Sequence, residues 1–171
     1  FAKQDYEACA NLCYQSLSLK PKFLPVQSNL VISLIKLGRI SEADKNVEQF
    51  LSKSPDNGML LYLKGLILTR KGEIKEALPY FRKTMVLEPK SSIAKIKIIE
   101  SLTTLKLHHE ADKFFRSFQP IFPIESDNFV FLFMNSINLN RNEQAEEYLN
   151  KLLDTDEIDS VIKKIENKTE E

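Results

Sequence analysis

The sequence predicts an all-α fold, a solenoid built from antiparallel helix pairs. Three observations carry this prediction: small and large apolar residues recur every 34 residues, apolar residues follow helical spacing, and prolines or glycines separate the segments. Each pair would bury its apolar faces against its neighbours, so the whole length forms one array. The recurring positions are Ala43, Ala77, Ala111 and Ala145; Val47, Phe81, Phe115 and Leu149; and Pro55, Pro89 and Pro123.

Length, composition and charge exclude several classes of protein. With 171 residues, 43% of them hydrophobic, the chain has the length of one ordinary domain. Acidic and basic residues number 24 each, so no overall field attracts nucleic acid or an anionic membrane. The longest apolar run, Met59 to Leu63, is far shorter than the roughly 20 residues that span a bilayer. We therefore expect neither a nucleic-acid partner nor direct membrane insertion.

The chain begins in the middle of a repeat. Residues 1 to 21 have the pattern of a second helix, predicted from Asp5 to Leu19 and closed by Pro21. The first residue is Phe1 and no signal peptide is present, so we expect that upstream sequence has been removed. The compartment therefore stays open, with the cytoplasm favoured. The helix carries one apolar stripe that should be buried, at Ala8, Cys9, Leu12, Cys13, Ser16 and Leu17.

Two cysteines on this first helix raise the question of a metal site. Cys9 and Cys13 lie one helical turn apart, a spacing that could offer two thiolates to a metal. They also occupy the packing positions that Ala43 and Val47 fill one repeat later, and no second ligand pair follows. We therefore predict no metal site and no cofactor.

Four further repeat units follow, each with two helices. In the first, the helices should run from about Val26 to Leu37 and from Ser41 to Lys53, where Ser41 and Asp44 give a start like a capping box. In the second, they should run from Leu60 to Lys71 and from Ile74 to Leu87. The units are predicted at residues 24–57, 58–91, 92–125 and 126–154, within an array that spans residues 1–154.

Glycines mark the turns and one close contact. Gly38 and Gly72 should form the turns between helices, because glycine adopts left-handed backbone angles without steric cost. Asn140 can do the same at the matching place, whereas Lys106 departs from the pattern. Gly65 lies inside a helix, where it costs roughly 1 kcal/mol relative to alanine. We therefore predict that it lets its second helix approach closely.

The end of the chain predicts a capping helix. Without one, the last repeat would leave an apolar flank in water. A helix at about residues 157–166, within a terminal segment 155–171 whose tail frays, would cover that flank. Its apolar stripe is Ile158, Val161, Ile162 and Ile165.

These features resemble the tetratricopeptide repeat family over about 155 residues, on the phase of the 34-residue period. Gly65, Ala77 and Phe81 match the family pattern, whereas Leu61 and Leu68 stand where that pattern has tryptophan and tyrosine. The resemblance implies a right-handed superhelix, with first helices lining a concave groove. It also implies a non-catalytic scaffold or adaptor that binds an apolar-anchored peptide or helix of a partner protein there and assists assembly of a larger complex.

The resemblance also indicates which residues line the groove. They lie on a face of each first helix turned away from the alanine and phenylalanine positions, and half of such a stripe could be ordinary core. The predicted groove residues are Ser28, Ile32, Ile35, Met59, Tyr62, Leu66, Thr69, Arg70, Ile93, Ile96, Glu100, Val130 and Met134.

The same residues bear on several alternative functions. The chain could be the regulatory or oligomerisation domain of a larger protein, or a homo-oligomer joined through the groove or the C-terminal helix. A chaperone adaptor that clamps a terminal carboxylate is disfavoured, because only Lys97 has a suitable charge at the matching places, which include Leu63. An RNA-reading helical repeat is disfavoured because the groove is mostly apolar and lacks a basic stripe.

Catalysis is not predicted. His108 and His109 are adjacent at a helix start with Glu110 next to them, and adjacent helix positions point in different directions. The three side chains therefore cannot converge on one substrate atom, and a solvated helix start is expected instead. No glycine-rich phosphate loop is present in the sequence.

Overall fold

The computed structural model describes residues 3–118 and 126–153. Within these ranges it contains nine α-helices and no strand, which confirms the predicted all-α helical-repeat class. The helices are α1 (Lys3–Leu19), α2 (Leu24–Lys36), α3 (Ile40–Leu51), α4 (Gly58–Arg70), α5 (Ile74–Leu87), α6 (Ser92–Thr104), α7 (His108–Phe118), α8 (Ser126–Asn138) and α9 (Asn142–Leu153).

The helix bounds repeat with the period of the sequence. The first helices α2, α4, α6 and α8 each have 13 residues, and the start of each is shifted by one period from the last. The second helices α3, α5, α7 and α9 follow after three-residue turns in the same register. Residues one period apart therefore occupy equivalent places in their helices.

The chain divides into two compact units, Phe1–Ser101 and Leu102–Glu171. In the first unit α2 packs on α1, α3 and α4, α3 also packs on α4, and α4 packs on α5. In the second unit α8 packs on α7 and on α9. The core of the first unit includes buried aliphatic residues of the first helices and the predicted Ala43 and Val47 of α3.

Helix α5 approaches α4 closely at Gly65, as the sequence predicts. A Cβ atom added to Gly65 would lie 2.5 Å from a ring carbon of Phe81 on α5. The ring of Tyr62 also packs on Phe81, with centroids 5.8 Å apart and the planes at 53°. Glycine is therefore required here because the phenylalanine ring occupies the space of a side chain.

The four turns between first and second helices share one geometry. Gly38, Gly72, Lys106 and Asn140 all have positive φ angles, of 75°, 82°, 60° and 55°. After each, the next backbone N–H donates to a carbonyl five residues earlier at 2.9 Å, as in a Schellman motif. Lys106, expected to depart from the pattern, therefore keeps the turn and adopts a backbone conformation that an L-residue disfavours.

Replacing Lys106 by glycine is expected to raise the free energy of unfolding by about 1 kcal/mol, because it removes the steric cost of the left-handed angle. Lys106→Ala keeps a Cβ atom and should leave stability nearly unchanged. Urea denaturation followed by circular dichroism measures both. An equal gain for the alanine and glycine variants would contradict the backbone explanation.

Several predicted helix starts are wrong by one or two residues. Helix α3 begins at Ile40, so Ser41 lies inside the helix and the predicted capping-box start does not form. Helix α2 begins before Val26, because Pro25 lies in the first turn, where its missing N–H costs nothing. Helix α4 is instead capped by Asn57, whose side chain accepts the Leu60 N–H at 2.9 Å.

The apolar stripe of α1 is only partly buried. Cys13 is buried, but Leu12 is 64% exposed and Ala8 is also exposed. The prediction of one buried stripe is therefore wrong for these two residues, since the packing of α2 on α1 leaves them in solvent. The predicted capping helix at 157–166 lies outside the described residues.

Candidate functional site

The accessible face of α4 coincides with the predicted groove. Eight of its 13 residues are buried in contacts with neighbouring helices. The remaining residues are those that the sequence assigned to the groove on this helix: Met59, Tyr62, Leu66, Thr69 and Arg70.

Helices α2 and α6 present equivalent residues of the first unit. Ile32 and Ile35 on α2 are half-buried and pack against the edge of the core, as Tyr62 and Leu66 do on α4. We call the set that follows the first-helix face: Ser28, Ile32, Ile35, Met59, Tyr62, Leu66, Thr69, Arg70, Ile93, Ile96 and Glu100.

No residue of the first-helix face is fully buried, but Ile32, Ile35, Tyr62 and Leu66 also pack against the core, as the alternative expected for about half of the set. The most exposed apolar members are Met59 at 42% and Ile93 at 50%. In the second unit Met134 on α8 is half-buried, whereas the side chain of Val130 is outside what the structure describes. The face is therefore apolar, accessible and carried by three helices of the first unit.

Polar groups give this face a defined electrostatic character. Burial, followed by the negative charge of Glu100, raises the pKa of Tyr62, so its hydroxyl keeps a proton that it can donate. Glu100 forms an ion pair with Lys97 one helical turn earlier. The hydroxyl of Thr69 donates to the Gly65 carbonyl at 2.9 Å. Tyr62 thus combines an apolar ring with a polar tip.

A carboxylate clamp is not supported at the matching places. Leu63 is buried in the core and cannot contact a ligand. Lys97, whose charge would suit such a clamp, is already paired with Glu100. A carboxylate directed at Lys97 would therefore have to compete with Glu100 for that amine.

The histidines and cysteines form no reactive constellation in the described structure. His108 is partly buried with its Nδ1 3.2 Å from Oδ1 of the buried Asn135, so the predicted solvated start is wrong for this residue. His109 is exposed. Burial and then the neighbouring Cys9 raise the pKa of the Cys13 thiol to about 11, which keeps it neutral at pH 7.

A search of the described residues for metal-binding or membrane-spanning features finds neither. No group of three or more histidine, cysteine, aspartate or glutamate side chains is placed to hold a metal ion. No described helix has both the length and the apolar character needed to cross a membrane.

Two sets of polar contacts between helices were not predicted. The amine of buried Lys64 lies 2.6 Å from both Asp44 and Glu48, and Asp44 also pairs with Lys71. This network joins α3 to α4.

The second set consists of hydrogen bonds to the carbonyl groups of two prolines, each of which ends a repeat. The amide of Gln27 donates to the Pro21 carbonyl at 2.6 Å, and Lys95 donates to the Pro89 carbonyl at 2.7 Å. Each donor lies six residues after its proline, and the two donors are two repeat periods apart. Both spacings are visible in the sequence.

Comparison with known proteins decides the family. Residues 1–101 match the model of the TT21 fifth ARM repeats domain. The chain belongs to this family. Among curated proteins, subunit 3 of the anaphase-promoting complex of Schizosaccharomyces pombe is 26% identical over 110 residues. That match covers 64% of this chain but 16% of the relative, so the chain spans about a sixth of its length.

Solved structures share the fold of this TT21-type repeat domain. A crystal structure of MamA has a TM-score of 0.78 and 15% identity, covering 92% of each chain. YrrB, described as a TPR protein with an unusual peptide-binding site, has a TM-score of 0.75 and 20% identity over 96% of this chain and 84% of its own. The predicted tetratricopeptide-type helical-repeat fold is thereby confirmed.

Proposed function

We propose that this chain is a non-catalytic scaffold that binds an apolar segment of a partner protein on the first-helix face and so assists the assembly of a larger complex. The observation that supports this most directly is the division of α4 into buried and accessible residues. Its eight buried residues pack between the helices. The other five keep accessible surface, although Tyr62 and Leu66 also pack on the edge of the core.

The composition of the face suits a helix or extended peptide with spaced hydrophobic anchors. Met59 and Ile93 project apolar surface into solvent, beside the half-buried Leu66 and Ile96. Arg70 and Glu100 supply charges at the edge. An apolar centre with a polar rim is the usual anatomy of a binding surface, and a contiguous apolar patch indicates an interaction site.

The residues described also support a role without catalysis. Catalysis needs a nucleophile, a base and an orienting group in one cleft. Here the half-buried His108 pairs with Asn135, while Cys13 is a neutral buried thiol. Binding through the first-helix face requires none of these groups.

Replacing Met59 and Ile93 by glutamate is expected to reduce partner capture at least tenfold, because burying each new charge against an apolar anchor is unfavourable. Both side chains are exposed, so the array should stay folded. The measurement is affinity capture from an extract of the source organism, quantified by mass spectrometry, with helicity checked by circular dichroism.

Leu12→Glu with Val86→Glu is the matched control, since both residues are more exposed and lie on α1 and α5, outside the first helices. It should retain the partners that the Met59→Glu/Ile93→Glu variant loses. Loss with the control variant, and retention with the first-helix variant, would mean that the working surface lies on the second helices.

A further inference from the structure

Two cations lie at equivalent places beside the first-helix face. Lys36 ends α2 and Arg70 ends α4, one period apart, and both side chains are exposed. Neither forms an ion pair with any residue that the structure describes. Because α2 packs on α4, and packed helices lie about 8–10 Å apart, these two helix ends are neighbours. We call Lys36 and Arg70 the positive edge.

The neighbouring cations of the same turns are already paired. Arg39 binds Glu7 at 2.8 Å and Glu42 at 2.7 Å. Lys71 binds Asp44. These two cations thus engage Glu42 and Asp44 of α3, whereas Lys36 and Arg70 are exposed at the ends of the first helices.

Helix stability alone does not explain the two cations. A basic residue in the last turn interacts favourably with the helix dipole. The equivalent residues of α6 and α8, Thr104 and Asn138, are uncharged, so these helices form without a cation at this place. Among the first helices that the structure describes, a cation at this last helical position is therefore found only on α2 and α4, which also carry Ile32 and Leu66.

We propose that the partner segment is acidic: it places carboxylates against Lys36 and Arg70 while its apolar anchors pack on Ile32 and Leu66. This inference rests on the proposed function and names the chemistry of its partner. The occupant is a segment of another protein in which acidic residues flank a hydrophobic stripe. Charge complementarity at the edge orients this segment, and the apolar contacts hold it.

The test uses two synthetic helical peptides with the same leucine stripe, flanked either by glutamates or by lysines, and the full 171-residue chain. Fluorescence anisotropy at low salt should show the acidic peptide binding roughly tenfold more tightly, as two exposed ion pairs allow. The preference should shrink at high salt. It should invert in Lys36→Glu/Arg70→Glu and persist in the conservative Lys36→Arg/Arg70→Lys.

Lys45→Glu/Lys53→Glu is the control for net charge, because both residues are exposed and belong to α3 and its C-terminal end. It should retain the acidic preference. Equal binding of both peptides, abolished by Met59→Glu/Ile93→Glu, would overturn the acidic partner and leave the scaffold function standing. Binding of neither peptide would count against both.

Sedimentation of the chain alone separates a partner from a second copy. The proposal expects a sedimentation coefficient that does not change with concentration. Self-association that Lys36→Glu/Arg70→Glu dissolves would assign the positive edge to a copy of this chain and overturn the proposal.

Discussion

Replacing Phe81 by alanine is expected to lower the free energy of unfolding of the first unit by about 3–5 kcal/mol. The Phe81 side chain is fully buried, and its ring fills the space between Gly65 and Tyr62. Removing the ring loses its transfer free energy and leaves a cavity between α4 and α5. Urea denaturation followed by circular dichroism measures the change, with Val86→Ala on the exposed side of α5 as the control.

Gly65→Ala tests the same contact from the opposite side. Inside a helix, glycine to alanine normally stabilises by roughly 1 kcal/mol. Here the added Cβ atom would lie 2.5 Å from the Phe81 ring, so we expect destabilisation of about 1–3 kcal/mol. Adding Phe81→Leu should cost less in the Gly65→Ala background than in the wild type. Stabilisation by Gly65→Ala alone would contradict this account of the close approach.

The fold could be predicted because its determinants are periodic. Ala77 and Phe81 recur in type with the 34-residue spacing, and both are buried in the structure. Gly65 does not recur, but it contacts Phe81 as predicted. Helix ends were less accurate, because they depend on single local interactions. Ser41 has the composition of a cap, yet the chain turns at Gly38 and the helix already begins at Ile40.

The family resemblance indicated the accessible face, and the structure accounts for it, since the residues that pack between helices leave one side of α4 open. The charged residues at the edge of this face were harder to predict. In the sequence, Lys36 looks like a basic residue that compensates the helix dipole. The structure adds that Arg39 and Lys71 pair with nearby carboxylates. Leu12 is exposed because no neighbouring helix that the structure describes covers its side of α1. The spacing of apolar residues along one helix does not determine which of its sides is covered.

Replacing Asp44 by asparagine is expected to lower the free energy of unfolding by about 3 kcal/mol, because it leaves the buried amine of Lys64 with one carboxylate. That amine lies 2.6 Å from Asp44 and from Glu48, and the Glu48 side chain is largely exposed. Glu7→Gln is the control, because its ion pair with Arg39 is solvated and should contribute less than about 1 kcal/mol. Adding Lys64→Met to Asp44→Asn should restore part of the stability.

The pH dependence of stability distinguishes this network from simple packing. Burial alone would raise the pKa of Asp44, but hydrogen bonds from Lys64 and Lys71 and their charges outweigh it and hold the pKa below its usual value. The stabilisation is therefore complete above pH of about 4 and is lost as the pH falls through the lowered native pKa. The difference between wild type and Asp44→Asn should be constant near neutrality and shrink in acid. A difference that persists unchanged at pH of about 2 would show that the loss comes from packing, not from the charge of Asp44.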